Sequence, residues 1–254
     1  MVFYFKRLYI LSVFLILNLV ISCGLNVEDP FPPSRPRWVE KSAPEDTIEK
    51  GIDAYHENNS IFLQWYLNDE DDIAFYEIYR KKVEPDSEGN FVRIVTIEII
   101  SLINPDTFYY DQGIKINKNY FYYLRAIDRA GNKSIPSDTI RYRIIPKPIV
   151  AKPLGQITDT IPLFQWNDFS NLSYEYVIRI EEAETGNLIW ISRFLRPNYG
   201  DFEQSKLYNF DGKAIASCLE RNKLYRWRVD AIAEEARGVE IAGSESEWGY
   251  FKIK

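Results

Sequence analysis

Tyr120-Phe121-Tyr122-Tyr123-Leu124-Arg125-Ala126 and Tyr225-Arg226-Trp227-Arg228-Val229-Asp230-Ala231 superimpose without a gap, and Ile114 and Leu219 each stand six residues before the leading tyrosine. Successive side chains of a strand point to opposite faces. Tyr120, Tyr122, Leu124 and Ala126 are therefore predicted to line one core, and Tyr225, Trp227, Val229 and Ala231 a second. The correspondence extends upstream. Ile61-Phe62-Leu63-Gln64-Trp65 precedes Phe75-Tyr76-Glu77-Ile78-Tyr79-Arg80, and Leu163-Phe164-Gln165-Trp166 precedes Tyr174-Glu175-Tyr176-Val177-Ile178-Arg179. Strand, tryptophan, polar loop and strand thus occur twice, the mark of an internal repeat.

Around these segments, short runs dense in Ile, Val, Tyr, Phe and Trp alternate with Asn, Asp, Gly and Pro clusters, the spacing of an all-β sandwich. No long segment has a helical period. An apolar content of 46% with 15% aromatics is ample for two cores. The copies meet at Ile144-Ile145-Pro146-Lys147-Pro148-Ile149-Val150-Ala151-Lys152-Pro153, a Pro-rich joint expected to limit bending without locking the pair. The expected organisation is one sandwich over residues 36–146 and a second over 147–254, arranged as an elongated rod.

Both copies resemble fibronectin type III domains, the first more closely. Thr107-Phe108-Tyr109-Tyr110-Asp111-Gln112-Gly113-Ile114 looks like the family's fifth strand and the turn after it, and Tyr120 to Ala126 like its sixth. Asp128-Arg129-Ala130-Gly131-Asn132-Lys133-Ser134 resembles the Asp-x-Ala-Gly-Asn-x-Ser loop of bacterial members. The resemblance implies that Tyr120 and Tyr225 are corner tyrosines and that Trp65 and Trp166 are core tryptophans. The second copy departs from the pattern. It lacks the Ala-Gly-Asn loop and the Tyr-x-Asp-x-Gly approach, and its last connection, Ala233 to Ser244, is longer, ahead of a seventh strand at Ser246 to Phe251.

At the start, Lys6 and Arg7 precede 14 uncharged residues, Leu8 to Ile21. That order is a secretory signal, and the run is short of the ~20 residues needed to span a bilayer. Val20-Ile21-Ser22-Cys23 resembles the bacterial lipobox, which implies removal of residues 1–22 and acylation of Cys23. Residues 23–35 then form a tether, stiffened by the four prolines between Pro30 and Pro36. The resemblance implies a location in the bacterial cell envelope, lipid-anchored, with the outer membrane favoured because Gly24, not an acidic residue, directly follows the cysteine, although Glu28 and Asp29 lie close behind.

Loss of the signal leaves 29 basic against 37 acidic side chains, a formal charge of −8, which argues against nucleic acid as a partner. Cys218 becomes the sole thiol, so no intramolecular disulfide is expected, and its mostly apolar neighbours suggest a buried, inert side chain. His56 is the only histidine and reads as part of a surface turn, which leaves neither a zinc site nor a His-based catalytic site. Asn68-Asp69-Glu70-Asp71-Asp72 offers hard oxygens to calcium, but without the spacing of a calcium loop it reads as a solvated turn.

Binding is the function class that survives, with no cofactor and no catalysis expected. If Tyr120, Tyr122 and Leu124 point inward, Phe121, Tyr123 and Arg125 point outward as an aromatic ladder with a cation beside it. Trp190 and Trp248 are two further candidates, and Trp38 is expected to cover the open end of the first sandwich. Two readings follow. The first is a non-catalytic, lipid-anchored binding or scaffolding protein that engages another protein. The alternative is a carbohydrate-binding lipoprotein that captures glycan on an exposed aromatic face.

Overall fold

The computed structural model describes residues 29–83, 89–101 and 107–254. Cys23, the signal segment and the first part of the tether lie outside them. Among the described residues every regular element is a strand. The first copy contributes β1 (Asp53–Tyr55), β2 (Ser60–Gln64), β3 (Ile73–Lys82), β4 (Val92–Glu98), β5 (Phe108–Asp111), β6 (Tyr120–Asp128) and β7 (Ile140–Ile144). The second contributes β8 (Ile149–Lys152), β9 (Gly155–Ile157), β10 (Leu163–Asn167), β11 (Glu175–Glu182), β12 (Leu188–Leu195), β13 (Glu203–Leu207), β14 (Leu224–Ala236), β15 (Val239–Glu245) and β16 (Gly249–Ile253).

In the first copy the sheet β1-β2-β5 packs on β4-β3-β6-β7, and in the second β8-β10-β13 packs on β12-β11-β14-β15, with β16 pairing the first half of β14 and, in parallel, β9. Each pair of sheets encloses its own core. The chain is all-β, two fibronectin type III-like sandwiches, as the repeat predicts. The alternation holds in detail. Tyr120, Tyr122, Leu124 and Ala126 are buried in one core, and Tyr225, Trp227, Val229 and Ala231 in the other.

Trp65 and Trp166 sit at the centres of the two cores, 5.5 Å from the ring of Tyr76 and 5.2 Å from that of Tyr176. Rings of this size bury 150–250 Å² each, so a handful of them supplies most of a small sandwich's apolar burial. Their hydroxyls remain satisfied. Tyr76 exchanges hydrogen bonds with Asn68, and Tyr176 donates to Asp168 at 2.7 Å. Trp38 packs edge-on against Trp65 and donates to the Asp138 carbonyl at 2.9 Å, closing the end of the first sandwich as expected.

The tyrosine corners form in both copies. Tyr120 Oη accepts the Lys115 amide at 2.7 Å, and Tyr225 Oη accepts the Glu220 amide at 3.0 Å. The Ala-Gly-Asn loop turns at Gly131 (φ 90°) and is held by Asp128, whose carboxylate accepts the Asn132 amide and side-chain N–H groups at 2.8 and 2.9 Å.

Two expectations are corrected. The long connection Ala233 to Ser244 is mostly sheet, because β14 runs on to Ala236 and returns as β15 through Arg237 and Gly238, both at positive φ (55° and 77°). Two such residues make a tight hairpin turn whose twist matches the strands. The joint is also more than a linker. Ile144 belongs to the first core and Ile145 to the second. At that point β15 pairs in parallel with β7 (Ala242 with Arg143, Gly243 with Ile144), and Ile145 N donates to the Gly243 carbonyl at 3.1 Å. One path of hydrogen-bonded strands, β12-β11-β14-β15-β7-β6-β3-β4, therefore crosses both copies. The pair is locked by sheet hydrogen bonds, where the sequence suggested a rod with limited bending.

Replacing Tyr120 or Tyr225 with Phe keeps each ring in its core but strips the partner from a partly buried amide, which costs about 1–2 kcal/mol. Urea denaturation is expected to show that loss for each variant, and an unchanged midpoint would contradict the role assigned to the corner.

Candidate functional site

The predicted aromatic ladder is largely consumed by its own neighbours. Tyr123 stacks on Tyr79 with ring centres 4.7 Å apart and planes 13° apart, and Phe91 packs against it at 4.7 Å, tilted by 58°. Phe121 lies under the Lys81 ammonium, and Arg125 donates to the Ser134 carbonyl at 2.8 Å. All three predicted residues are half-buried.

Trp190 is a correction. Only 1% of it is exposed. The β11–β12 register sets it opposite Ile180, on the core face, where it meets Phe164, Tyr208 and Phe210 and donates to Asp211 Oδ1 at 3.0 Å. Leu188-Ile189-Trp190-Ile191 is apolar on both faces, so alternation gave no means of choosing between them. Cys218 is the opposite case: it is exposed, because Ala214 to Cys218 is a chain of bends in which Ala214 touches the core and the next buried side chain is Leu219. In the acidic loop, Asp69 and Asp71 are exposed, whereas Asp72 lies with Asp29 and Asp128, carboxylate oxygens within 4.8 Å of one another. Each Asp128 oxygen in this cluster already accepts one hydrogen bond from Asn132.

Trp248 remains, and the fold places it at the junction of the sandwiches. It lies in the bend between β15 and β16, with the Arg226 and Arg228 guanidiniums 4.3 and 5.1 Å from its ring centre and His56 edge-on at 6.1 Å. His56 does occupy the β1–β2 turn, as the sequence suggested, but that turn faces the second copy. Its Nδ1 is 3.6 Å from Glu245, and Lys147 donates to its carbonyl.

Around this point runs a seam of buried charge. From the first copy come Lys41, Glu49, Asp53 and Tyr142. From the second come Arg179, Arg228, Asp230, Glu240 and Glu245. Lys41 Nζ lies 2.6 Å from Asp53 and 3.8 Å from Glu240, while Tyr142 donates to Glu240. Arg228 pairs with Glu49, with Asp230 at 2.9 Å and with Glu245 at 2.9 Å. Arg179 donates to the Asp46 carbonyl at 2.8 Å and lies 3.3 Å from Glu49.

Three cations (Lys41, Arg179 and Arg228) thus face five carboxylates (Glu49, Asp53, Asp230, Glu240 and Glu245). Burial disfavours the ionised carboxylates, and their mutual repulsion adds to it. Burial raises Glu240 to about 7 against the opposing pull of Lys41, and raises Glu245 well above the carboxylate range against that of Arg228. Burial, then the positive field of Arg228, lowers His56.

Beside the seam an open groove of about 550 Å³ is lined by Asn59 and Ile116 of the first copy, the Pro146–Pro148 joint, and Ile149, Leu154, Trp248 and Tyr250 of the second. Trp248, just before β16, and Tyr250, within it, stand on either side of Gly249 in sequence, and Tyr250 is 49% exposed. A smaller cavity of about 210 Å³ opens between Tyr55, His56, Phe62 and Tyr110 on one side and Arg228 and Glu245 on the other. The sequence pointed to Trp248 alone. The rest of the groove is built by the β7–β15 contact, which no local pattern encodes.

No family model matches the chain, and no curated protein matches it. Among solved structures, it resembles the Clostridium perfringens spore cortex lytic enzyme SleM at 22% identity over 44% of this chain and 28% of that one, with a TM-score of 0.27. It resembles the β-1,2-glucanase of Parabacteroides distasonis at 23% identity over 44% of this chain and 14% of that one, with a TM-score of 0.28. A two-domain fibronectin type III segment of chicken tenascin aligns over 85% of this chain and 96% of the other at 14% identity, with a TM-score of 0.29. The chain spans less than a third of either enzyme. At these scores the likenesses carry no argument about function.

Because the folded-state value of Glu240 lies above its ordinary 4.5, the stability it contributes is complete below about pH 4.5 and is lost as pH rises through about 7. Denaturation of the wild type and of Glu240→Gln between pH 5 and pH 8 is expected to show the wild type losing stability relative to the variant as pH rises. A difference that is flat, or of opposite slope, would contradict a protonated seam.

Proposed function

We propose that this chain is a non-catalytic binding or scaffolding protein, held in a bacterial cell envelope by lipid on Cys23, that seats a protein partner in the groove between its two sandwiches. The groove carries the reading. Ile149, Leu154 and Tyr250 are each about half exposed there, at 55%, 47% and 49%, on walls contributed by both copies and the joint. Apolar side chains clustered in a concavity give up water to a ligand, and the single Lys147 and Glu247 at its edge supply orientation without an arrangement for bond cleavage. The locked junction keeps the walls in register, so little conformational freedom is lost on binding.

Carbohydrate capture remains the second reading, supported by Trp248 and Tyr250 on neighbouring outward positions of one segment. It is weaker than the sequence suggested, since Trp190 is buried and Tyr123 is stacked on Tyr79 and packed by Phe91.

The test is photo-crosslinking in intact cells from a benzoyl-phenylalanine placed at Ile149, alongside a glycan array probed with the soluble Cys23→Ser protein and its Trp248→Ala and Tyr250→Ala variants. The expected result is one reproducible protein adduct, lost when Leu154→Asp is added, and a blank array. Array binding abolished by either ring variant would replace the protein reading with the carbohydrate one, and silence in both assays would reject the groove as the site.

A further inference from the structure

A second surface on the second sandwich is built from two loops, residues 168–174 between β10 and β11 and residues 196–202 between β12 and β13, together with Leu195 at the end of β12. They put five large apolar side chains into water: Phe169 (63% exposed), Leu172 (42%), Leu195 (62%), Tyr199 (69%) and Phe202 (51%). Phe169 and Phe202 stack on each other with ring centres 5.1 Å apart and planes 21° apart. None of these residues lines the junction groove.

Beneath the exposed rings the loops are pinned by buried polar groups. Asp168 and Arg196, 1% and 3% exposed, form an ion pair at 3.1 Å. Asp168 also accepts from the Ser170 amide and hydroxyl, the Ser173 hydroxyl and the Tyr176 hydroxyl. Arg196 donates to the carbonyls of Asn198 and Asp201, and Gln204, 1% exposed, spans the same turn by bonding the Asn198 amide and carbonyl and the Asp201 carbonyl. The loops are stitched to each other by Asp168 N to the Phe202 carbonyl at 2.8 Å and Arg196 N to the Tyr174 carbonyl at 2.8 Å. A loop fixed in this way presents apolar side chains that cannot fold back out of water, and a clustered, exposed apolar surface marks an interaction site.

The charge around the surface selects the occupant. Within residues 167–175 and 195–203, the exposed charged side chains are Asp201 and Glu203. Arg196 is buried, and Glu175 is turned to Arg193 at 2.5 Å. The Asp201 and Glu203 carboxylates beside the rings disfavour the anionic headgroups of a bilayer. They also disfavour a symmetric contact with a second copy, which would bring the same carboxylates together. We propose that these two loops are a docking face for a protein that presents an apolar pocket bordered by lysine or arginine, with Phe169 and Phe202 as the anchor and Asp201 and Glu203 steering the approach.

The probe is a phage-displayed library of random linear peptides, selected on the soluble Cys23→Ser protein at low salt and counter-selected on Phe169→Ser/Phe202→Ser. The expected outcome is enrichment of peptides that combine Phe, Trp or Leu with Lys or Arg. These should bind at least tenfold more tightly to the parent than to the double variant or to Tyr199→Ser, and Asp201→Asn/Glu203→Gln should weaken them and flatten their salt dependence. Tyr199, the most exposed of the five, serves as the second variant should the double one fold poorly. No enrichment over the variant, or enrichment of acidic peptides, would overturn the proposal. So would ring-dependent sedimentation with phosphatidylglycerol vesicles, or a dimer in sedimentation equilibrium that the double variant abolishes.

Discussion

The buried charge between the two sandwiches is the constraint on which the rest of the molecule depends. Lys41, 3% exposed in its side chain, and Arg228, 4% exposed, have each left water and are held by carboxylates that come partly from the other copy. An ion pair of this kind is weak evidence for net stability, because desolvation offsets most of its attraction, but removing one member strands the other at a cost of about 3–5 kcal/mol. The seam therefore acts less as glue than as a fit requirement. Any arrangement of the two copies that separated Arg179 from Glu49 and the Asp46 carbonyl, or Glu240 from Lys41 and Tyr142, would strand those buried groups, although Lys41 would keep Asp53 and Arg228 would keep Asp230 and Glu245. The short β7–β15 pairing aligns the two halves, and the seam penalises other alignments.

From that docking the surface features follow. The groove is lined by both copies because Ile144 ends one core and Ile145 begins the next, which brings Pro146 to Pro148 into its lining. Trp248 sits beside it because the strand after Glu245 must bend away from β7 before it can rejoin the first half of β14 as β16. The extended β14–β15 hairpin, with Glu234 reaching Arg141 and Arg143, is the element that makes the contact. A shorter hairpin in this copy would leave two sandwiches on a proline hinge.

The fold was legible because its determinants are local and periodic. Tyr120 to Ala126 and Tyr225 to Ala231 alternate so regularly that one face of each had to be core, and the tyrosine corners are set by residues only five positions apart. Where a segment was apolar on both faces, as around Trp190, period alone could not assign the inward side. Where a segment was charged, as from Glu234 to Glu240, strand was mistaken for loop, since the charges are matched by residues roughly ninety positions away. Cys218 was misplaced because apolar neighbours were taken as a sign of burial, whereas the backbone there only bends along the surface. The groove and the Phe169–Phe202 surface depend on loops brought together by distant strands, and a single buried pair, Asp168 with Arg196, gives no sign of itself across 28 residues of sequence.

Scanning calorimetry of the soluble Cys23→Ser protein, free of its signal segment, tests the locked junction most directly. One transition is predicted, with the calorimetric enthalpy equal to the van't Hoff enthalpy, because two sandwiches that share sheet hydrogen bonds and buried charge unfold as a unit. Two resolved transitions, left unmoved by Arg228→Met, would mean that the sandwiches are independent and that the seam does not hold them.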